Sequence, residues 1–167
     1  MYGSFATGLW LKHCDIDYLL VPQNVKIYDV SSGMIEDYLD RILVILKKSG
    51  MCRNATINKK IRVPMIRAEI SIESSQKTRK IDITIMDRNH NGRAITHYIN
   101  EQLTAYPLLR PMFYIIKSLS HEYKLNDPKK GGIRTYAIII MLLSRICLLY
   151  TSPSPRDLST SRMPSSA

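Results

Sequence analysis

The chain has 167 residues, 45% of them apolar, with 24 Lys and Arg against 14 Asp and Glu and a formal net charge of +10. That apolar share excludes a wholly disordered chain and suffices for one domain, or one small domain plus part of another. The basic surplus favours polyanionic partners, nucleic acid ahead of an acidic membrane surface, and the wide spacing of Cys14, Cys52 and Cys147 supports neither a zinc site nor a disulfide framework.

In chain order, Gly3-Ser4-Phe5-Ala6-Thr7-Gly8 reads as a turn or short helix start. A strand follows from Asp15 to Val21, closed by Pro22. Residues 33–49 predict an amphipathic helix, because Ile35, Tyr38, Leu39, Ile42, Leu43 and Leu46 recur at helical spacing. Ser32 suits its cap, Glu36 and Asp37 its first turn, Lys47 and Lys48 its last, and Gly50 its exit. Ala55 to Asn58 and Ile61 to Ile72 are rich in β-branched residues, with Pro64 marking an edge or a strand start. Gln76 to Lys80 reads as a polar turn, after which Lys80-Ile81-Asp82-Ile83-Thr84-Ile85 alternates as a half-buried strand does.

From residue 91 the period turns helical. Gly92 to Leu103 carries Ile95, Tyr98, Ile99 and Leu103, with Asn91 as its cap. Pro107 to Tyr123 carries Leu108, Met112, Ile115, Ile116 and Leu119, its prolines confined to the first turn. A Lys/Gly-rich turn, Asp127 to Gly132, leads to a helix from about Arg134 to Leu149. The apolar run from Tyr136 to Tyr150 is broken by Arg145 and falls short of the roughly 20 residues a spanning helix needs, so no membrane role is expected. Thr151 to Ala167 is rich in Ser and Pro without periodicity; it is expected to be disordered, and its composition is also that of a non-native scar. The expected organisation is α+β: a mixed-sheet palm over 1–88, the beginning of a helical domain over 89–150, and a tail over 151–167.

In a strand, residues two apart share a face, so Asp15 and Asp17 present two carboxylates side by side. Asp82 and Thr84 share the polar face of the later strand, opposite Ile81, Ile83 and Ile85. If the two strands are neighbours, three carboxylates converge, and such a group repels itself unless cations intervene. Hard oxygen ligands suit magnesium or manganese, and two such ions roughly 3.5–4 Å apart serve an in-line phosphoryl displacement. Each aspartate alone reads as a solvated strand end; the signal lies in their combination with Gly3-Ser4, whose N–H groups and hydroxyl suit a phosphate. The basic run from Lys59 to Arg67 reads either as a track for RNA phosphates or as a solvated strand, and nothing supports His13 as a metal ligand.

Gly3-Ser4, a short helix, Asp15-Ile16-Asp17 on a strand and a third aspartate on a later strand together resemble the DNA polymerase β-like nucleotidyltransferase superfamily. Within it the chain resembles the RNA-tailing branch, the poly(A) and poly(U) polymerases like those of the TRAMP complex. Asn91-Gly92, Tyr106-Pro107-Leu108-Leu109-Arg110-Pro111 and the stretch from Leu125 to Tyr136 look like that branch's central-domain helices, so the likeness covers roughly residues 1–149. The resemblance implies that Gly3 and Ser4 hold the triphosphate, that Asp15 and Asp17 bind two magnesium or manganese ions, and that Asp82 binds the catalytic one. It further implies that Asp82 helps deprotonate the RNA 3′ hydroxyl and that Lys117 neutralises phosphate charge. Tyr136 would stack on the incoming base, and Thr135 beside it stands where many relatives have a phosphate-contacting serine.

The implied activity is template-independent transfer of nucleotides to RNA 3′ ends, with ATP the expected donor and UTP the alternative. The implied setting is intracellular, nuclear or cytoplasmic, with RNA-surveillance proteins as partners. A reading of another class is an inactive RNA-binding or scaffold protein. Members of the branch carry a helical segment ahead of the Gly-Ser turn and a longer central domain, so the chain reads as a fragment truncated at both ends, weakly active or inactive by itself.

Overall fold

The computed structural model describes residues 1–12, 14–72, 75–127 and 130–151. His13, the Pro128-Lys129 step and the tail from residue 152 lie outside the described residues. The chain divides into two compact units, Met1–Ala105 and Tyr106–Ala167.

The first unit is built on a four-stranded mixed sheet of order β1-β4-β3-β2, with β1 Ile16–Leu20, β2 Cys52–Asn58, β3 Met65–Ile72 and β4 Ser75–Ile85. β1 runs parallel to β4, and the other two pairings are antiparallel. A parallel pair requires a crossover. Here the chain leaves β1 at one edge, passes through α2 (Ser32–Lys48), enters at the opposite edge with β2 and returns through β3 to β4.

α2 buries Ile35 and Leu39 against Val30, Ile66, Ala68, Ile81, Ile83 and Ile85, with Ile42, Leu43 and Leu46 partly buried beside them. The helical spacing read in the sequence is therefore the face that packs. Its cap is Ser31, one residue earlier than expected: Ser31 Oγ accepts the Met34 N–H at 3.3 Å, and the first turn holds no acid. Gly50 leaves the helix at φ +69°, a conformation that favours glycine.

Three expectations for the strands require correction. Gln76 to Lys80 is strand rather than turn, because β4 begins at Ser75 and pairs Thr78, Arg79 and Lys80 with Ser71, Ile70 and Glu69 of β3. Residues 75–80 of β4 are all polar, so the segment carries no apolar alternation to announce a strand. Pro64 does precede a strand, but β3 is central and begins at Met65, which leaves residues 61–64 as a bend. β4 is also not half-buried: Ile81 through Ile85 are buried on both faces, the polar face being closed by Tyr2 and His90.

α1 (Gly3–Ala6) and α3 (Gly92–Ala105) flank the same unit. α3, expected with the later helices, groups with the sheet because Thr96 Oγ1 accepts the Gly3 N–H at 3.0 Å and Gly92 lies against the Tyr2 and His90 rings. Asn91 precedes α3, and its carbonyl accepts the Ile95 N–H at 2.9 Å.

The second unit contains α4 (Leu109–Glu122) and α5 (Thr135–Thr151). α4 buries Leu109, Phe113, Lys117 and Ser120, whereas Leu108, Ile115, Ile116 and Leu119 of the expected apolar stripe are exposed. Both sets recur at helical spacing, so periodicity alone could not choose the buried face. α5 turns Ile138, Ile139, Leu143 and Ile146 inward. No helix among the described residues is long and apolar enough to cross a membrane.

Candidate active site

The sheet registers assemble the site. Asp17 of β1 stands opposite Asp82 of β4, and Asp82 stands opposite Arg67 of β3. One row across three strands therefore reads Asp17, Asp82, Arg67 on the face away from α2. Asp15 stands just ahead of β1, and its Oδ2 lies 3.7 Å from Arg67 Nη2. The three predicted carboxylates are thus brought together.

The charge balance is supplied locally. Arg67 Nε donates to Asp82 Oδ1 at 2.8 Å and Nη2 to Oδ2 at 2.6 Å, a two-pronged pairing with a carboxylate that is only 8% exposed. The Asp82 bond chiefly holds the Arg67 guanidinium still more firmly protonated than usual. Asp17 has no such partner. Burial, then the charges of Asp82 and Asp15, push its carboxyl up to about 6, against a smaller opposing pull from Arg67.

The predicted Gly3-Ser4 turn sits over this row. Tyr2 forms an isolated bridge with Asp17, its N–H donating to the Asp17 carbonyl at 3.1 Å. Gly3 takes φ +72°, and a Cβ there would collide with Asp17 Oδ2. Glycine is therefore required twice, by backbone conformation and by space. The Gly3 N–H donates to Thr96 Oγ1 at 3.0 Å.

The loop between this turn and Asp15 is tied down by side chains. Trp10 Nε1 donates to the Cys14 carbonyl at 3.0 Å, and Arg79 stacks on the Trp10 ring at 5.0 Å while its Nη1 donates to the Lys12 carbonyl at 2.6 Å.

Behind the row lies a polar cluster absent from the sequence reading. Thr84 Oγ1 lies 3.3 Å from Tyr2 Oη, 3.2 Å from the Tyr18 carbonyl and 3.3 Å from His90 Nε2. His90 Nδ1 accepts the Gly92 N–H at 3.3 Å, so in this arrangement Nε2 carries the proton. Burial lowers the His90 pKa and holds the ring neutral, and burial likewise raises that of Tyr2. The Tyr2 and His90 rings meet edge to face at 4.9 Å. Thr84 alone carried a signal, its shared face with Asp82; Tyr2 and His90 join it only through the tertiary fold.

Arg67 also escaped notice, read as part of a basic run. Its strand alternates Ile66, Ala68 and Ile70 against Arg67, Glu69 and Ser71, which puts it on the polar face, but the register that sets it beside Asp82 is not local information. Lys59 of the same run turns to α2, bonding Asp40 Oδ2 at 2.7 Å and lying 3.6 Å from Glu36.

Lys117, Thr135 and Tyr136 belong to the second unit. Lys117 is buried on the inward stripe of α4, and its Nζ donates to Thr135 Oγ1 at 2.7 Å. Tyr136 is 44% exposed. The loop before Thr135 folds tightly, the Ile133 N–H donating to the Leu125 carbonyl at 2.7 Å and the Gly132 N–H to that of Asp127 at 2.9 Å. A Cβ on Gly132 would strike those backbone atoms.

The donor set suits a hard divalent cation, being three carboxylates with one compensating guanidinium. Among the described residues, no three Asp, Glu, His or Cys groups stand close enough to hold an ion as arranged.

Residues 1–101 match the family described as poly(A) RNA polymerase, mitochondrial-like, central palm domain. The chain is 29% identical over 144 residues to Poly(A) RNA polymerase protein 1 of Saccharomyces cerevisiae, a match covering 86% of this chain and 21% of that protein. The chain thus spans about a fifth of the length of the curated relatives it matches. Among solved structures, the polymerase core of TRAMP, an RNA surveillance complex, is similar with a TM-score of 0.68 and 26% identity, over 98% of this chain and 45% of that one. Terminal uridylyl transferase 4 from Trypanosoma brucei with bound CTP shares the fold, with a TM-score of 0.69 and 22% identity over 93% of this chain and 49% of that one.

Proposed function

The chain belongs to the family of mitochondrial-like poly(A) RNA polymerase central palm domains, and on that footing we propose that it adds nucleotides without a template to RNA 3′ ends. The observation that carries this reading is the row of Asp17 and Asp82 on parallel neighbouring strands, with Asp15 beside them and the Gly3-Ser4 turn above.

In the reaction the RNA 3′ oxygen bonds to the α-phosphorus of a nucleoside triphosphate as the bond to pyrophosphate breaks. The RNA grows by one nucleotide, and the hydroxyl proton leaves toward Asp82 or solvent. Asp15 and Asp17 would hold both magnesium or manganese ions, and Asp82 the catalytic one. When bound, the pair supplies positive charge to the attacking and leaving oxygens. The Ser4 turn receives the triphosphate, and Gly3 leaves the space in which Asp17 lies. For Lys117 the resemblance implies neutralisation of phosphate charge, and for Tyr136 stacking on the base.

ATP is the favoured donor, because the Gly131-Gly132-x-x-Thr135-Tyr136 stretch is similar to poly(A)-type members and the Saccharomyces cerevisiae relative is named a poly(A) RNA polymerase. UTP is the second reading, supported by the fold shared with a terminal uridylyl transferase. The organisation in this reading is a palm, the opening part of a helical central domain and a tail. The setting is intracellular, nuclear or cytoplasmic, with an RNA surveillance complex as the partner class.

Equilibrium binding of each of the four ribonucleoside triphosphates, with and without magnesium, tests the reading. Tight binding of ATP that requires magnesium and is lost in Asp17→Ala, but not on substitutions in the tail, is expected. Binding indifferent to Asp17 would return the chain to the RNA-binding scaffold class.

A further inference from the structure

Arg67 is the one group of the site that polymerase chemistry does not call for. Its guanidinium engages both oxygens of Asp82, at 2.8 and 2.6 Å, and its Nη2 also lies 3.7 Å from Asp15. The two partners differ sharply in exposure: the Arg67 side chain is 55% exposed, that of Asp82 only 8%. The guanidinium thus covers the buried carboxylate from its open side, in register on the central strand. A divalent ion that takes an Asp82 oxygen meets a carboxylate whose charge the guanidinium already compensates, so the two cations repel each other and compete for it.

We propose that Arg67 is a positioning residue that competes with the divalent cation for Asp82 and thereby sets the metal affinity of the site. With its fork closed, Arg67 holds Asp82 aimed and charge-compensated and keeps the three carboxylates from forming a complete cage. With Arg67 neutralised, Asp15, Asp17 and Asp82 converge without a resident cation, and an ion binds more tightly before any nucleotide arrives. The inference rests on the reading of the triad as a metal site, and its test separates the two.

The measurement is a titration of the chain with Mn2+ alone, the free ion being followed by its paramagnetic resonance signal, with circular dichroism to verify the fold of each variant. Arg67→Gln is expected to tighten Mn2+ binding about tenfold, the order of one charge-assisted hydrogen bond. Arg67→Lys, which keeps the charge but cannot close the fork, should fall between the two. Adding Asp82→Asn to Arg67→Gln should remove the gain. A purely structural role for Arg67 would weaken binding in both variants. Equal or weaker Mn2+ binding by Arg67→Gln and Arg67→Lys, with binding still abolished by Asp17→Asn, would overturn the competition alone. Mn2+ binding that ignores Asp17→Asn in every background would overturn the metal-site reading and this inference with it.

Discussion

Asp17 lies under the Gly3 turn with its carboxyl pushed up to about 6, so in the absence of metal its ionised form opposes folding. The folded group binds its proton more tightly than the unfolded one. Its contribution to stability is therefore present below the unfolded value near 4 and is lost as pH rises through about 6. Asp17→Asn should accordingly stabilise the metal-free chain above pH 7, by about 2 kcal/mol, with little difference at pH 4. Thermal unfolding at several pH values checks this. Magnesium should close the gap by stabilising the parent chain alone. Gly3→Ala makes a second prediction: the added methyl meets Asp17 Oδ2 at a backbone φ of +72°, so stability should fall by about 1–3 kcal/mol and nucleotide binding with it. The three aspartates and Gly3 were legible in the sequence because spacing on strands and turns is local. Arg67 was not, because its partnership with Asp82 depends on strand register.

At the scale of elements, α2 and β4 show what patterning conveys. The apolar stripe of α2 was readable because its residues recur at helical spacing from Ile35 to Leu46, although Val44 and Ile45 stay exposed beside it. α4 carries two candidate stripes, and the one that packs includes Lys117, a residue that hydropathy places outside. β4 extends back to Ser75 through residues that are all polar and leave no alternation to read. Its polar face is closed by the Tyr2–Thr84–His90 cluster, and Thr84→Val would leave His90 Nε2 and Tyr2 Oη without this partner. We expect a loss of about 1–3 kcal/mol by denaturant unfolding, larger than for an exposed Thr→Val. Ser31→Ala, which deletes the cap of α2, should cost about 1 kcal/mol by the same measurement.

At the scale of the molecule, the α+β class and the palm were legible, because strands with one crossing helix followed by helices admit few arrangements. The division between units was not. α3 carries a helical period like that of the later helices, and its contacts with Gly3, Tyr2 and His90 group it with the first unit. The net charge of +10 bears on RNA directly: affinity for a single-stranded RNA should fall by at least about tenfold between 50 and 200 mM salt, as counterions compete for the phosphates. A titration with fluorescent RNA at several salt concentrations checks the slope.

The measurement that bears most directly on the carboxylate site is extension of an end-labelled RNA by the chain, with each ribonucleoside triphosphate in magnesium, beside Asp17→Asn. The predicted result is slow, magnesium-dependent growth of the RNA, strongest with ATP and abolished by the substitution. Growth that persists undiminished in Asp17→Asn would contradict the assignment of the Asp15, Asp17 and Asp82 cluster as a nucleotidyl-transfer site.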